Sequence, residues 1–473
     1  MADVSSITSN SAAILSLVTQ YRDSLRNTSV TPLETKKSNL NTRLGALTLL
    51  KSKLDSLYSS ATSLSKTGET SQFLAYAAVS SNTSVATASA SSSQASGTHT
   101  LKVNRLAGTD TLLSKEFTSA GTDFAEGAQT LTINGVEVSV TVSSSANATA
   151  LADIASAINN NPTDTGMTAS VVYQTSDKAR LVLTGKNTGQ ANGITFGGEA
   201  LATTLGYAAM TGRGQYVSAN AGAGYIQADA ALLDASFDLD SMTLTRGTNV
   251  ITDALSGVTL MLKSAQASAD PAVALTVGTD KDGIRAKVQE FITNYNSALS
   301  YIRDRTAVDA TNHTRQVLAS ESIVLSLRYD LRTNLSRQVS SVKSGNPSVL
   351  SEIGITTASN GTLTLSDSAA FDAALALNVS KVSDLFNTSD GIATRMKTLL
   401  DDFVKSGGQF DSAKASVNAQ MTNLTTRIST LDDLITKKAD RYGDEFVRIQ
   451  NLITVAANQQ KYINSLFGTT YTY

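Results

Sequence analysis

The sequence has no cysteine, no tryptophan and only two histidines in 473 residues. Each shortage removes a class of protein. Without cysteine there is neither a disulfide framework nor a thiolate nucleophile or ligand. A four-ligand zinc site would have to recruit both His99 and His313, which are far apart in the chain, together with carboxylates, so no metal or other cofactor is expected. No window approaches the roughly 18 uninterrupted apolar residues of a bilayer span, so no membrane insertion is expected. Charge is scarce too: charged residues are 16% of the chain, against about a quarter in ordinary globular proteins. With 38 Lys plus Arg against 40 Asp plus Glu, the formal charge of −2 creates no field that would draw nucleic acid or an anionic membrane. Partners are expected to be proteins. The opening MADVSSITSNSAAILSLVTQYRDSL lacks a basic segment followed by an apolar core, so it does not read as a cleaved secretory signal. That blank fits a cytosolic protein, or one exported by a machine that reads a polar N-terminus.

The polarity that is present comes from Ser, Thr, Asn and Gly, which build turns and strand faces. The length suits two to four domains. Ile14, Val18, Tyr21 and Leu25 recur at steps of three and four, the spacing of one helix face. Thr31-Pro32 interrupts, because proline removes a donor and restricts the residue before it. A second helical stripe follows through Leu40, Leu44, Leu47, Leu50, Leu54, Leu57, Ala61 and Leu64. From Phe73 the texture changes to Ser/Thr/Ala-rich sequence with β alternation.

TLTINGVEVSVTV reads as a hairpin, with Leu131 and Ile133 before Asn134-Gly135 and Val136, Val138, Val140 and Val142 after it. Leu151, Ile154 and Ile158 mark a short helix ending at NNNP (Pro162), and MTASVVYQTSDKARLVLT reads as a second hairpin. Together they predict a ββαββ unit, a sheet with one helix across it. β texture persists over 219–283, where Asp282-Gly283 is expected to end it. Helical spacing returns through Ile284, Val288, Phe291, Tyr295, Leu299 and Ile302, and a further helix is expected over about 317–339. Asn360-Gly361 suggests an isolated hairpin, followed by the helices FDAALAL and GIATRMKTLLDDFV. After Gly407-Gly408, the run Val417, Met421, Leu424, Ile428, Leu431 and Ile435 alternates steps of four and three, as a coiled-coil seam does. With one skip near Lys438 it resumes at Tyr442, Phe446, Ile449 and Ile453. A helix of about fifty residues would extend roughly 75 Å. Leaving both terminal stripes wet would forfeit roughly 1.5–3 kcal/mol for each Leu or Ile. The expectation is that they cover each other or pack into an oligomer, with Ile14 to Leu25 as the partner of the terminal stretch QNLITVAANQQKYINSLF. There Ala456-Ala457 and Gln459-Gln460 weaken the seam.

No catalytic constellation accompanies these elements, and the protein is not expected to be an enzyme. A hydrolytic triad needs a base and a group that orients it, yet His99 lies in an alternating strand and His313 in a polar loop. Ser63-x-x-Lys66 is a chance match in a serine-rich chain. Asp280 and Asp282 lack the twelve-residue loop and terminal Glu of a calcium site. Asp401-Asp402 and Asp432-Asp433 point to different sides of their helices and read as solvated faces. LTGKNTG lacks the first glycine and the hydroxyl of a phosphate-binding loop.

Taken in order, these segments resemble the bacterial flagellar filament cap family, also called hook-associated protein 2. LVTQYRDSLRNTSVTPLETKKSNLNTRLGALTLLKSKLDSL, GTHTLKVNRLA, the ING hairpin with IASAINNN, NVITDALSGVTLMLK, EFITNYNSAL, LSEIGITTASNGTLTLSDSAAFDAAL and VSDLF are each similar to family segments, with Ile158-Asn159 as the Ile-Asn pair. The start SSITSNSAAI, where the family has glycine, and the tail GTTYTY depart from the pattern. The resemblance implies a multidomain α+β protein with long terminal helices forming a coiled-coil stalk, a helical bundle and two inserted β-rich domains. In that scheme 1–42 is an N-terminal leg helix, 43–72 and 283–406 the helical body, 73–107 and 226–282 an inner β domain, 108–225 an outer one, and 407–473 the C-terminal leg. The leg seam would comprise Ile14, Val18, Tyr21, Leu25, Leu424, Ile428, Leu431, Ile435, Phe446, Ile449 and Ile453, with joints at Pro32, Gly407 and Gly408. The implied role is a homo-oligomeric cap at the extracellular flagellum tip that promotes insertion of flagellin and prevents its loss. Further implied partners are a hook–filament junction protein and a cytoplasmic export chaperone. Export would run through the flagellar type III system, and the lack of cysteine suits unfolded passage. Alternative readings are another axial subunit, of the junction or flagellin type, or an adhesin binding host mucin through the outer β segment.

Overall fold

The computed structural model describes residues 11–467 except 162, 211, 310 and 313. Two compact units emerge: one combines 1–73 with 281–473, and the other is 74–280. The fold is α+β and multidomain, with the β-rich unit inserted between helical segments.

Helix α1 (Ser11–Ser29) and α2 (Thr31–Ser65) are separated by Val30 alone. Val30 keeps near-helical angles (φ −97°, ψ −49°), donates to the Arg26 carbonyl at 2.8 Å and accepts from Leu33 and Glu34. Pro32 sits in the first turn of α2, where a missing N–H is tolerated and the fixed φ suits a helix. The interruption is therefore a one-residue kink, not a loop. Along α2 the stripe Leu47, Leu50, Leu54, Leu57, Ala61 and Leu64 is fully buried.

The inserted unit runs β1 (Tyr76–Ser80), β2 (Ala86–Ala90), β3 (Gly97–Arg105), β4 (Thr109–Leu113), β5 (Phe117–Thr118), β6 (Gly127–Ile133), β7 (Val136–Val142), α3 (Asn147–Asn159), β8 (Met167–Thr175), β9 (Lys178–Thr188), α4 (Ala200–Thr204), β10 (Gly224–Tyr225), β11 (Ala235–Leu239), β12 (Met242–Arg246), β13 (Val250–Leu255), β14 (Val258–Leu262) and β15 (Val273–Thr279). It holds two apolar cores. One lies between the antiparallel sheet β1-β15-β3-β11-β12 and the three-stranded β13-β14-β2, with Leu101, Val103, Phe237 and Leu275 from the first and Ile251 and Leu260 from the second. The other gathers Leu131, Val138, Leu151, Ile154, Leu181 and Tyr207.

The predicted hairpins and helix of the ββαββ unit form, with Asn134 (φ 51°) and Gly135 (φ 76°) supplying the left-handed turn. They do not share a sheet, however. Among the named strands β6 and β7 pair only with each other, β6 adding a single bridge from Ile133 to Phe196, whereas β8 and β9 join β4, β5 and β10. β9 spends its second edge on β4 and β5, so no edge of it remains for the ING hairpin. Helix α3 is clasped to β8 by Asn159, whose amide accepts from Ala169 N–H and donates to Ala169 carbonyl, both at 2.8 Å. The Asn of the Ile-Asn pair thus replaces a neighbouring strand at that point, while Ile158 enters the core.

The chain returns to the helical unit with α5 (Lys281–Thr306), the two-residue strands β16 (Val308–Asp309) and β17 (Thr314–Arg315), α6 (Ser322–Ser336), β18 (Ile355–Thr357), β19 (Leu363–Leu365), α7 (Ser368–Asn387), α8 (Ile392–Val404) and α9 (Gln409–Phe467). Asp282-Gly283 lies inside the first turn of α5 rather than before it. α6 is shorter than the spacing suggested, because Leu318 and Val339, though buried in the same core, lie in non-helical segments on either side of it. Asn378 breaks α7 (φ −168°, ψ 105°), and its side chain caps the second half by accepting from Ser380 N–H at 2.9 Å. Phe73, Phe291, Leu331, Phe371, Phe386 and Met396 belong to one continuous core with the α2 stripe.

Candidate functional site

α9 spans 59 residues, roughly 90 Å at 1.5 Å per residue. Its surroundings change along that length. Phe410 and Val417 lie in the core of the helical unit, and Met421 and Leu424 pack against that core. Gly407 adopts φ +72°, and a side chain on Gly408 would meet the Asp402 and Lys405 carbonyls at 2.8 Å. The two glycines therefore form a close turn that folds α9 onto the body, and the helix separates from the core only near Leu424.

Beyond that point α1 becomes the neighbour, running antiparallel. Arg26 Nε and Nη2 reach the Asp432 carboxylate at 2.9 and 3.2 Å, and Nη2 also donates to Glu34 at 2.8 Å. Those bonds hold the guanidinium pKa above its ordinary value, Asp432 contributing most. Tyr21 packs on Tyr442 with ring centroids 4.4 Å apart and the rings tilted by 31°, and Tyr442 meets Phe446 edge-on at 4.8 Å. Val18 Cγ2 lies where a Cβ on Gly443 would be 3.4 Å away, so the missing side chain lets the helices approach. Ile14 is buried and shares a groove with Val447 and Gln450. Of the predicted seam, Ile14 and Ile435 are buried, Val18, Tyr21, Leu25, Leu424, Ile428, Leu431, Phe446 and Ile453 are partly buried, and Ile449 is exposed.

Ala439, Gly443 and the Arg26–Asp432 pair carry this contact without having been predicted. The first two sit four residues apart at the skip in the heptad pattern, and small residues at that spacing were the available signal. Asp432 is an ion-pair partner rather than a bare solvated carboxylate, and Asp401 accepts from Tyr58 Oη at 2.9 Å.

The final stretch of α9 differs. Ile449, Leu452, Val455, Tyr462, Ile463 and Leu466 are each at least half open to solvent. α1 faces about 432–450, so it does not cover QNLITVAANQQKYINSLF as the sequence suggested; the antiparallel register places Ser11 only opposite the beginning of that stretch.

The chemical candidates have structural duties. His99 Nδ1 lies 2.7 Å from Asp240 Oδ2 and Nε2 lies 3.0 Å from the Ala95 carbonyl. Both ring nitrogens face acceptors, a geometry suited to the cation, and the Asp240 bond raises the pKa despite partial burial. Asp240 also accepts from Thr100 N–H at 2.8 Å, so the pair ties the β11–β12 turn to β3. His313 lies outside the described residues. Among the described residues no cluster of three His, Asp or Glu could hold a metal. Arg180, invisible to pattern reading, is fully buried and donates to the carbonyls of Ser114, Asn220 and Gly222 and to Gln174 Oε1, all within 2.9 Å.

Terminal helices packed together, β-rich segments inserted between them and an uncovered apolar tip define a structural subunit of an assembly. Residues 12–110 match the flagellar hook-associated protein 2 N-terminus, 233–458 match its C-terminus, and 130–187 match the flagellin hook IN motif. The B-type flagellar hook-associated protein 2 of Pseudomonas aeruginosa is 26% identical over 445 residues, 89% of this chain and 90% of the relative. Flagellar hook-associated protein 2 of Escherichia coli K12 is 26% identical over 484 residues, 99% of this chain and 98% of the relative. The crystal structure of the D1-D2-D3 domains of the Escherichia coli flagellar cap protein FliD superposes with a TM-score of 0.57 at 25% identity, covering 79% of this chain and 99% of that one. The chain belongs to the flagellar hook-associated protein 2 family.

Proposed function

We propose that the protein caps the distal end of the bacterial flagellar filament, where it promotes insertion and polymerisation of flagellin and prevents its loss. Family membership supports the role, and the observation that carries the mechanism is the bare apolar tip of α9 after residue 449. Several copies of the chain act together, and the helix pair of each meets flagellin and the hook–filament junction protein, the tip becoming covered only in that contact. The leg takes in 1–42 and 407–473. Because Phe410 and Val417 are anchored in the body, the part free to swing begins near Leu424, with Pro32 opposite as the other joint. Before assembly a cytoplasmic chaperone shields the same tip, and the chain leaves through the flagellar type III system without a cleaved signal, to act at the extracellular tip.

The test is a chain carrying Leu452→Asn, Ile463→Asn and Leu466→Asn together. These side chains are exposed, so the fold should persist, as circular dichroism would report. Cells relying on this variant should shed unpolymerised flagellin into the medium and form no filaments. Normal filaments from a normally folded variant would refute the proposed role of the tip.

A further inference from the structure

β8 is the outer strand of its sheet, with β9 on one side and no described strand on the other. The direction of its backbone follows from β9. Leu181 N–H donates to Ser114 Oγ and the Leu181 carbonyl accepts from Ser114 N–H, both at 2.9 Å, on the side of β9 away from β8. The Val171–Leu181 pair is therefore a non-hydrogen-bonded one, and Val171 N–H and C=O point outward from the sheet. Two residues earlier the same edge is closed, because the Asn159 amide occupies both groups of Ala169. Two residues later Tyr173 again points outward. A bulge follows, where Gln174 turns to accept from Arg180 Nε, and it ends the open run.

Val171 and Tyr173 thus present main-chain donors and acceptors that no described residue engages. Protein edges are usually guarded by charge or proline. From Met167 to Ser176 there is neither, and Val172 and Tyr173 are 46% and 53% exposed. The half of the edge beside α3 is sealed by Asn159, and the half beyond it is left ready to pair.

We propose that β8 pairs antiparallel with β8 of a second copy of this chain, about a two-fold axis at Val172. In that register Val171 of each copy exchanges both backbone hydrogen bonds with Tyr173 of the other, and Val172 faces Val172. The strand is its own complement: apolar side chains meet apolar ones, and no like charges oppose. A charged strand from a different protein would find no countercharge on this run. The contact is isologous, so it joins two copies and does not by itself close a ring. It goes beyond the cap role and does not depend on it.

The full-length protein offers a direct test, because it has no native cysteine. Opposed residues in a non-hydrogen-bonded antiparallel pair have Cα atoms about 4.5 Å apart, within disulfide reach. Val172→Cys should form a disulfide-linked dimer under mild oxidation, faster than Tyr329→Cys, a more exposed residue on a helix. Val171→Pro removes an N–H that faces away from β9, a position where an edge strand accepts proline. It deletes two bonds from each pair of copies and should weaken association about tenfold or more in sedimentation equilibrium. Val172→Lys, which keeps the strand intact, should weaken it in the same direction, with partial recovery in high salt. Equal oxidation of Val172→Cys and Tyr329→Cys, or association unchanged by both Val171→Pro and Val172→Lys, overturns the proposal.

Discussion

The two ends of α9 carry similar apolar residues and meet different fates. Between Phe410 and Phe446 one face of the helix is covered, first by the core of the helical unit and then by α1. From Ile449 onward its large apolar residues other than Ile453 are at least half exposed among the described residues. Spacing alone does not separate the stretches, since Ile449 and Ile453 continue the rhythm of Phe446. The partner separates them: α1 has 19 residues against 59 in α9, and its register is fixed by Arg26–Asp432 and Tyr21–Tyr442. An apolar stripe records that a helix is meant to be covered, and the covering element must be found elsewhere.

That contrast can be broken at graded cost. Phe410→Ala removes a fully buried ring beside Phe403 and should cost about 3–5 kcal/mol in denaturant unfolding. Gly443→Leu pushes a side chain against Val18 and should cost about 1–3 kcal/mol while splaying α1 from α9. Tyr21→Ala loses the tilted ring pair with Tyr442 and should cost about 1 kcal/mol. Arg26→Met should lower stability only slightly, and less in high salt, because the ion pair is solvent-exposed. Leu452→Asn at the bare tip should leave unfolding within about 0.5 kcal/mol of the parent. A tip substitution as costly as Phe410→Ala would erase the distinction between the two stretches.

The His99–Asp240 clasp supplies a contrast with the helix pair that depends on pH. The His99 pKa is raised in the fold, so its contribution is complete below the ordinary histidine value of about 6.5 and fades as pH rises through the raised value. Asp240 is lowered by the His99 bond, so its own contribution is lost only in acid. Thermal unfolding of the β-rich unit should show a small loss of stability from neutral to alkaline pH that His99→Asn abolishes, while the α1–α9 contact stays unaffected.

Local features of the fold were legible wherever chemistry acts within a few residues. Asn134-Gly135 announced its turn, Pro32 its kink, and Ile284 to Ile302 the buried face of α5. What escaped depends on residues distant in sequence. The separation of the ING hairpin from the β8–β9 sheet follows from β9 already being paired on its other edge with β4 and β5. The burial of Arg180 follows from three carbonyls that converge from two segments. At the helix pair the stripes were visible but their register was not, because Ala439 and Gly443 interrupt the heptad that pattern reading follows. At that interruption the helices approach closely enough for Val18 to lie 3.4 Å from where a Cβ on Gly443 would be.

Site-resolved hydrogen exchange on the isolated full-length protein measures the central claim along a single helix. Amides of α9 between about 412 and 447 should be strongly protected, and those between 452 and 466 should exchange rapidly, because α1 does not reach the tip among the described residues. Equal protection in both stretches would contradict the account, since it would mean that the free protein already covers the surface assigned to its assembly partners.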